Sequence, residues 1–566
     1  MKKRVFACLL ALVMLLGMVA VPSFVRAEEE EPAKEIVILY TNDVHCGVDG
    51  NIGYAGLARI KAALEAAGKE VILVDCGDAV QGGVIGTLSK GEAIIDLMNA
   101  VGYDVAVPGN HEFDYGMDQF FKNVSLAQFK YVCCNFIDDN GKAVMDPYVI
   151  VEKAGKKIAF IGIDTPESIT KSTPTYFQDS EGNYIYSFCQ KDNGQELYNK
   201  VQETVDAVRA EGADYVIALA HLGTDYQSSP WMSSDVIVNT TGIDVVLDGH
   251  SHTDFKLEFG KDFVTVKNKD GNDVIHSSTG TKLANVGMLT ISGDKISAKL
   301  INASAMDFID AAGLLAADNG MGDVVKAALD KNAELVNTVV AHTDVDLIIN
   351  DPTAGVRIIR SQETNLGDLC ADAYRAMGGT DIAFVNGGGI RDTIPAGDIT
   401  YGQIIAVHPF GNALCTVEAT GQEILDALEM SVSNLPGESG GFLQVSGLKF
   451  TVDMSVESTV VKDDEKMFVE VSGDRRVKDV QVLQEDGSYA PIDPNKTYTV
   501  ACHNYLLKDK GDGYTMFADN TFLSEDTMLD NQVLITYIVE KLGGTVGSEY
   551  LEPYGQGRIT IVDKAE

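Results

Sequence analysis

From Ile36 to about residue 255, short β-rich apolar runs alternate with stretches of helical spacing. The predicted strands are "EIVILYT", "EVILVDC", "DVAVPG", "YVCCNF", "KIAFIGI", "DYVIALAH" and "DVVLDGH". Between the first two, Leu57, Ile60, Ala63 and Leu64 recur at helical intervals until Gly68; Ile94, Leu97 and Met98 do the same before Gly102. Strand and helix repeated in this order predict an α/β layered domain with largely continuous buried strands. A β-rich stretch with turn signals over 256–302 completes it. "MGDVVKAALDKNAELVNTVV" reads as a helix and as the connector to a second α/β domain. That domain has strands at "DIAFVN", "GLKFTVD" and "TYTVACH", and helices at "LGDLCADAYRAM" and "GQEILDALEMSV". The expected organisation is 36–320, a linker helix over 321–339, and 340–564.

Length supports the division, since 566 residues exceed what one hydrophobic core serves. The first 27 residues stand apart. Lys2, Lys3 and Arg4 precede a 17-residue apolar run, and "SFVRA" ends in Ala27, the pattern of a secretory signal peptide cut after Ala27. An uncleaved membrane anchor is the rival reading, but that run is short for a span. The lysine-rich start has the style of a bacterial leader, so the chain is expected to be exported to the cell envelope or outside, with no membrane span after cleavage.

Charge narrows the partners. The whole chain carries −39, and loss of the leader's four basic residues brings it near −43. Nucleic-acid polymers and anionic membranes need exposed cationic stripes, which this balance disfavours. A small anionic substrate would need local positive charge from metals or a few placed arginines. Eight cysteines follow the leader, several inside apolar runs, and are expected to be buried thiols rather than a disulfide framework.

The polar residues at the strand ends carry the chemistry. Asp43 and His45 follow the first strand, Asp78 the second, and Asn110 and His111 the third. His221 follows "VIALA", and His250 and His252 follow "VVLDG". Open α/β sheets place ligand sites at the C-terminal ends of their strands. Any one of these clusters is ordinary turn chemistry, and a lone Asn-His-Glu means little. Five at equivalent strand ends supply carboxylates, an amide oxygen and imidazoles, a donor set suited to zinc, manganese or iron. Seven candidate ligands exceed the needs of one ion and suggest two.

In this order, "DVH", "GD", "GNHE", "H" and "GHSH" resemble the calcineurin-like metallophosphoesterases. The resemblance implies an α/β/β/α four-layer sandwich with two divalent metal ions. Asp43, His45 and His252 would hold one, Asn110, His221 and His250 the other, and Asp78 would bridge them. It also implies that His111 faces the reacting phosphate as a catalytic group, with Asp114 orienting its ring; Glu112 reads as a polar turn or supporting residue.

The second half, through "RSQETNLGDLCADA", "NGGGIR", "HPFGN", "GGFLQVSGL" and "GDGY", resembles the C-terminal domain of the 5′-nucleotidase family, which includes UDP-sugar hydrolases and cyclic-nucleotide phosphodiesterases. The implied fold is an α/β substrate-binding domain. In this acidic chain Arg360 and Arg391 would provide forked charge for phosphate, with Arg357 a further candidate. Asn386 opens a Gly-Gly-Gly turn that lets backbone approach a ligand. Phe410 and Tyr505 would sandwich a base, Asn412 would bond its edge, and Asp512 would accept from ribose hydroxyls. Tyr505 stands where the family commonly has Phe, and "LLKDK" before "GDGY" is one residue longer than its usual spacing. The reading is an exported 5′-nucleotidase acting on a nucleotide substrate. The rivals are UDP-sugar or 2′,3′-cyclic-nucleotide hydrolysis at the same site, and a non-catalytic nucleotide-binding surface protein. The resemblance further implies that the two domains rotate during turnover.

Overall fold

A computed structural model describes residues 35–562 apart from 312–314, 318 and 526; the predicted signal peptide lies outside these residues. Among the described residues, no helix is long and apolar enough to cross a membrane.

The first half is built on two six-stranded sheets. In the first, Ile36–Thr41 runs parallel to Glu70–Asp75 and antiparallel to Asn285–Ser292. In the second, Tyr215–His221 lies parallel between Lys156–Asp164 and Val245–Leu247. Both faces of these central strands are buried, so they read as near-continuous apolar runs. Ile38, Tyr40, Ile72 and Val74 of one sheet meet Phe160, Ile217, Leu219 and Leu247 of the other in a core between the sheets. A second core packs the helix Gly53–Ala66 and the helix Glu92–Val101 on the outer face of the first sheet. A third packs the helix Gln195–Ala210 on the second. These are the four expected layers.

The second half holds a five-stranded sheet in the order Leu443–Ser446, Ile382–Asn386, Thr497–His503, Leu414–Thr420, Phe522–Ser524. The helices Asn365–Gly378 and Gly421–Ser431 pack on it. Thr364 and Thr420 cap those helices by accepting from the backbone N–H of Gly367 and Glu423. A four-stranded sheet around Leu448–Asp453 adds a layer.

Two elements differ from the sequence reading. The connector is not one helix: Met321–Asp330 and Ala333–Val336 are separate, and Val339–Thr343 is a strand of the second half. Asn332 leaves helical geometry between them, as a side chain that competes with the backbone tends to do, and the β-branched Val339 and Val340 enter a ladder. Of "YVCCNF" only Tyr131 joins the first sheet, in the strand Lys130–Tyr131. The chain then crosses to the second sheet, where the Cys134 N–H donates to the Gly162 carbonyl. A Cβ on Gly162 would lie 1.9 Å from the Val132 carbonyl oxygen, so only glycine allows that crossing. Among the described residues all eight cysteines are free and buried, as expected.

Candidate metal centre and substrate cavity

The strand-end loops of the first half converge on one point. The N–H groups of Asp43 and His45 donate to the carbonyls of Gly77 and Asp78, stitching the first loop to the second at 2.9 Å. Glu112 is buried and accepts from the N–H groups of Asp78 (2.8 Å), Ala79 (2.8 Å) and Gly109 (2.6 Å), binding the second loop to the third. Burial pushes its carboxyl up to about 7. Glu112 is thus a loop fastener, as its turn position suggested. Asp43, His45, Asp78, His250 and His252 all have left-handed backbone, with φ between 44° and 78°. Non-glycine residues rarely adopt it, and its repetition around one point is strain held in place by the surrounding bonds.

This backbone gathers two overlapping sets of donor atoms. Asp43, His45, Asp78 and His252 form one, and Asp78, His221 and His250 the other, with ligand atoms within 4.8 Å of one another in each. Asp78 belongs to both: its Oδ2 is 3.1 Å from His221 Nε2 and 3.7 Å from His45 Nε2. Asn110 joins the second set, its Oδ1 2.9 Å from His250 Nδ1. The imidazoles are aimed from behind. His221 Nδ1 donates to the Cys76 carbonyl at 2.7 Å and His45 Nδ1 to the Gln81 carbonyl at 2.9 Å, which leaves both Nε2 atoms facing inward.

The donors suit divalent cations. Burial drives Asp43 up to about 7, the penalty for a carboxylate without a full counter-charge. Burial lowers His45 and His252, keeping both rings neutral as ligands require. Gly109 leaves the centre open: a Cβ there would fall 2.4 Å from Asp78 Oδ1 and 2.7 Å from His221 Nε2.

His111 differs from its neighbour. Its Nδ1 is 2.5 Å from Asp114 Oδ2, and Asp114 Oδ1 accepts from Ser172 Oγ at 3.0 Å. Burial alone would lower the imidazole, but Asp114 and then Asp78 outweigh it and hold the ring above its ordinary value. Glu167, which sequence reasoning missed, lies 3.0 Å from His250 Nε2 and accepts from Ser228 Oγ at 2.7 Å. Its only signal was a carboxylate just after the strand Lys156–Asp164.

Beside the centre opens a cavity of about 480 Å³ lined by both halves. Arg357, Arg360, Asn386, Arg391, Phe410, Asn412, Tyr505 and Asp512 all line it, together with Asp78, Asn110, His111 and Asp114. Desolvation, with Arg357 and Arg391 nearby, holds the half-buried Arg360 guanidinium well below its usual range, and its Nε has no partner among the described residues. Arg357, by contrast, is ion-paired to Glu438, so part of its charge is already matched. Phe410 lies 5.8 Å from the His111 ring and under the Arg391 guanidinium at 5.7 Å. Tyr505 donates its hydroxyl to the Thr170 carbonyl at 2.7 Å, across the two halves. Asp512 accepts from Asn386 Nδ2 at 2.7 Å and from Lys171 Nζ, also across the halves, at 3.2 Å.

Comparison with known proteins accounts for both halves. The calcineurin-like phosphoesterase pattern matches residues 36–254, and the 5′-nucleotidase C-terminal domain pattern matches 339–519. The chain belongs to the 5′-nucleotidase family. The 5′-nucleotidase of Vibrio cholerae is 27% identical over 554 residues, covering 90% of this chain and 91% of that protein. The trifunctional nucleotide phosphoesterase of Bacillus subtilis is 28% identical over 93% of this chain, which spans only 35% of that longer protein. The crystal structure of a 5′-nucleotidase precursor from Thermus thermophilus superposes with a TM-score of 0.75 at 28% identity, over 94% of this chain and 100% of that one. As a member of the 5′-nucleotidase family, the chain is a metal-dependent phosphomonoester hydrolase.

Proposed function

We propose that this chain hydrolyses nucleoside 5′-monophosphates to nucleoside and inorganic phosphate with two divalent cations, zinc, manganese or similar. Asp43, His45 and His252 would hold one cation and Asn110, His221 and His250 the other, with Asp78 between them. The observation that carries the reading is Arg360, whose buried Nε has no partner among the described residues, in the same cavity as this donor set and the aromatic Phe410 and Tyr505.

Each group has a definite task. Cations held by these residues would lower the pKa of a water and neutralise phosphoryl oxygens. Arg360 and Arg391 clamp the phosphate, and their forked donors fix its orientation. His111, held protonated by Asp114, places positive charge or a proton at the oxygen that leaves. Phe410 and Tyr505 offer π-faces for a base, worth ~1–3 kcal/mol per stacked base. Asn386 and Asn412 supply amide groups, and Asp512 an acceptor for ribose hydroxyls. Substrate enters between the halves, which requires them to part and close around the strand and short helices of 321–343. The leader predicted over 1–27 would place this reaction outside the cytoplasm.

The test is phosphate release from AMP, UMP, ADP, UDP-glucose and 2′,3′-cyclic AMP by the purified chain with manganese or zinc, repeated with EDTA. Chelator-sensitive turnover led by the monophosphates is expected. A lead for UDP-glucose or the cyclic nucleotide would replace the substrate, and no turnover with any metal would sink the reading.

A further inference from the structure

Beyond Asp512 the cavity carries positive charge that a nucleoside monophosphate does not use. Its lining includes Lys171 of the first half and Lys462 and Lys466 of the second. The two second-half lysines come from a hairpin, Val460–Lys462 paired with Phe468–Val471, that leaves the main sheet after Leu448–Asp453 and rejoins it at Val477–Leu483. Strand alternation sorts its residues. Ser458, Val460 and Lys462 line the cavity, while Val461 is exposed and Thr459 turns to the Asp474 carbonyl.

The hairpin's position is fixed from the first half. Lys466 Nζ donates to the Ser229 carbonyl at 2.8 Å and lies 4.9 Å from the Trp231 ring. Met467 is buried among Phe113, Phe136, Phe177 and Phe188. Lys462, one strand residue from that anchored turn, has no hydrogen-bond or ion-pair partner among the described residues. Burial pulls its amine down to about 8, and the nearby Lys171 and Lys466 add to the effect.

The carboxylates within reach are committed elsewhere. Glu167 faces His250 and Ser228, and Glu438 faces Arg357. Asp463 accepts from the backbone of its own turn. Asp512 and, at longer range, Glu167 act on the lysines, and of the three Asp512 bonds Lys171 alone. A nucleoside 5′-monophosphate would deliver its single anionic group to the metal end, leaving this end uncompensated.

We propose that Lys171, Lys462 and Lys466 form a second anion subsite, which takes a phosphate esterified to the ribose 2′ or 3′ oxygen of a nucleoside 5′-phosphate. The proposal rests on the reading above, in which Asp512 meets the ribose. The 5′-phosphate is the one cleaved; the ribose phosphate is bound and retained.

The experiment measures kcat/KM for 5′-phosphate release from AMP, adenosine 3′,5′-bisphosphate and adenosine 2′,5′-bisphosphate. It uses the metal-loaded chain, Lys462→Met and Lys462→Arg. One of the two bisphosphates is expected to exceed AMP about tenfold or more, chiefly through KM, as one charge-assisted contact allows. Lys462→Met should bring that ratio toward one, and Lys462→Arg should keep most of it. The bisphosphate that leads identifies the oxygen bearing the phosphate. AMP turnover with neither bisphosphate favoured, or a preference unmoved by Lys462→Met, overturns the subsite and leaves the nucleotidase reading standing. Calorimetric binding of the same three nucleotides to His111→Ala reports the preference without turnover. Equal binding there, with no turnover by the parent chain, overturns both.

Discussion

Asn110 and His111 are adjacent in sequence, yet their side chains part: the amide oxygen turns to His250, and the imidazole turns to Asp114. A short 3₁₀ turn at Asn110–Phe113 produces the divergence. His111→Ala should therefore lower kcat by about 10²–10⁴-fold, the usual worth of a positioned acid, while nucleotide binding persists. An unchanged kcat would remove His111 from the chemistry. A second residue-scale prediction concerns His408, which lies behind the cavity with Nδ1 3.2 Å from the Gly389 carbonyl and Nε2 without a partner among the described residues. Burial lowers its imidazole to about 4, so the folded chain refuses a proton that the unfolded chain accepts below about pH 6.5. Stability from this residue is complete above pH 6.5 and falls as pH drops toward 4, by on the order of 3 kcal/mol. Thermal unfolding at pH 7 and pH 4.5 should show a smaller acid loss in His408→Gln than in the parent chain; equal losses would refute the assignment.

Among the elements, what was legible in the sequence followed from burial. Strands such as Ile36–Thr41, Lys156–Asp164 and Tyr215–His221 are covered on both faces and announce themselves as apolar runs. The residues of the candidate metal centre were legible for a linked reason: each follows such a run, and parallel strands bring their C-terminal ends to one place. Glu167, Lys171 and Lys462 were not legible. They come from irregular loops, a four-residue helix and a hairpin whose strands have no buried-face pattern. The connector misled because its apolar spacing continues past Asn332, although the first part packs Met321 and Val325 on the first half and the last part joins a sheet of the second. Resemblance supplied the candidate substrate residues, and the structure added their partners. Arg357 proved to be paired, and Arg360 Nε to have no partner among the described residues.

For the whole molecule, the central fact is that the cavity has walls from both halves, with Phe410 beside His111. Substrate exchange in the proposed reaction would then call for separation of the halves. Gln227 of the first half accepts from Asn434 of the second at 3.0 Å, so these positions mark a seam. Gln227→Cys with Asn434→Cys, joined by a short thiol-reactive crosslinker, should abolish multiple turnover and recover it with a cleavable linker. The native cysteines are buried and should not compete. Full turnover in the linked form would refute separation. The acidic chain, at −39, confines its useful positive charge to this closed interior.

The anchored hairpin would also resist any opening of that interior. Met467 belongs by sequence to one half and by packing to an aromatic socket of the other. Parting the halves must withdraw it into water, at a cost of about 1.5–3 kcal/mol for a side chain of that size. A bias of that size corresponds to a factor of roughly ten to a hundred in relative population. One methionine would thus act as a detent, weighting the unliganded molecule toward the shut form.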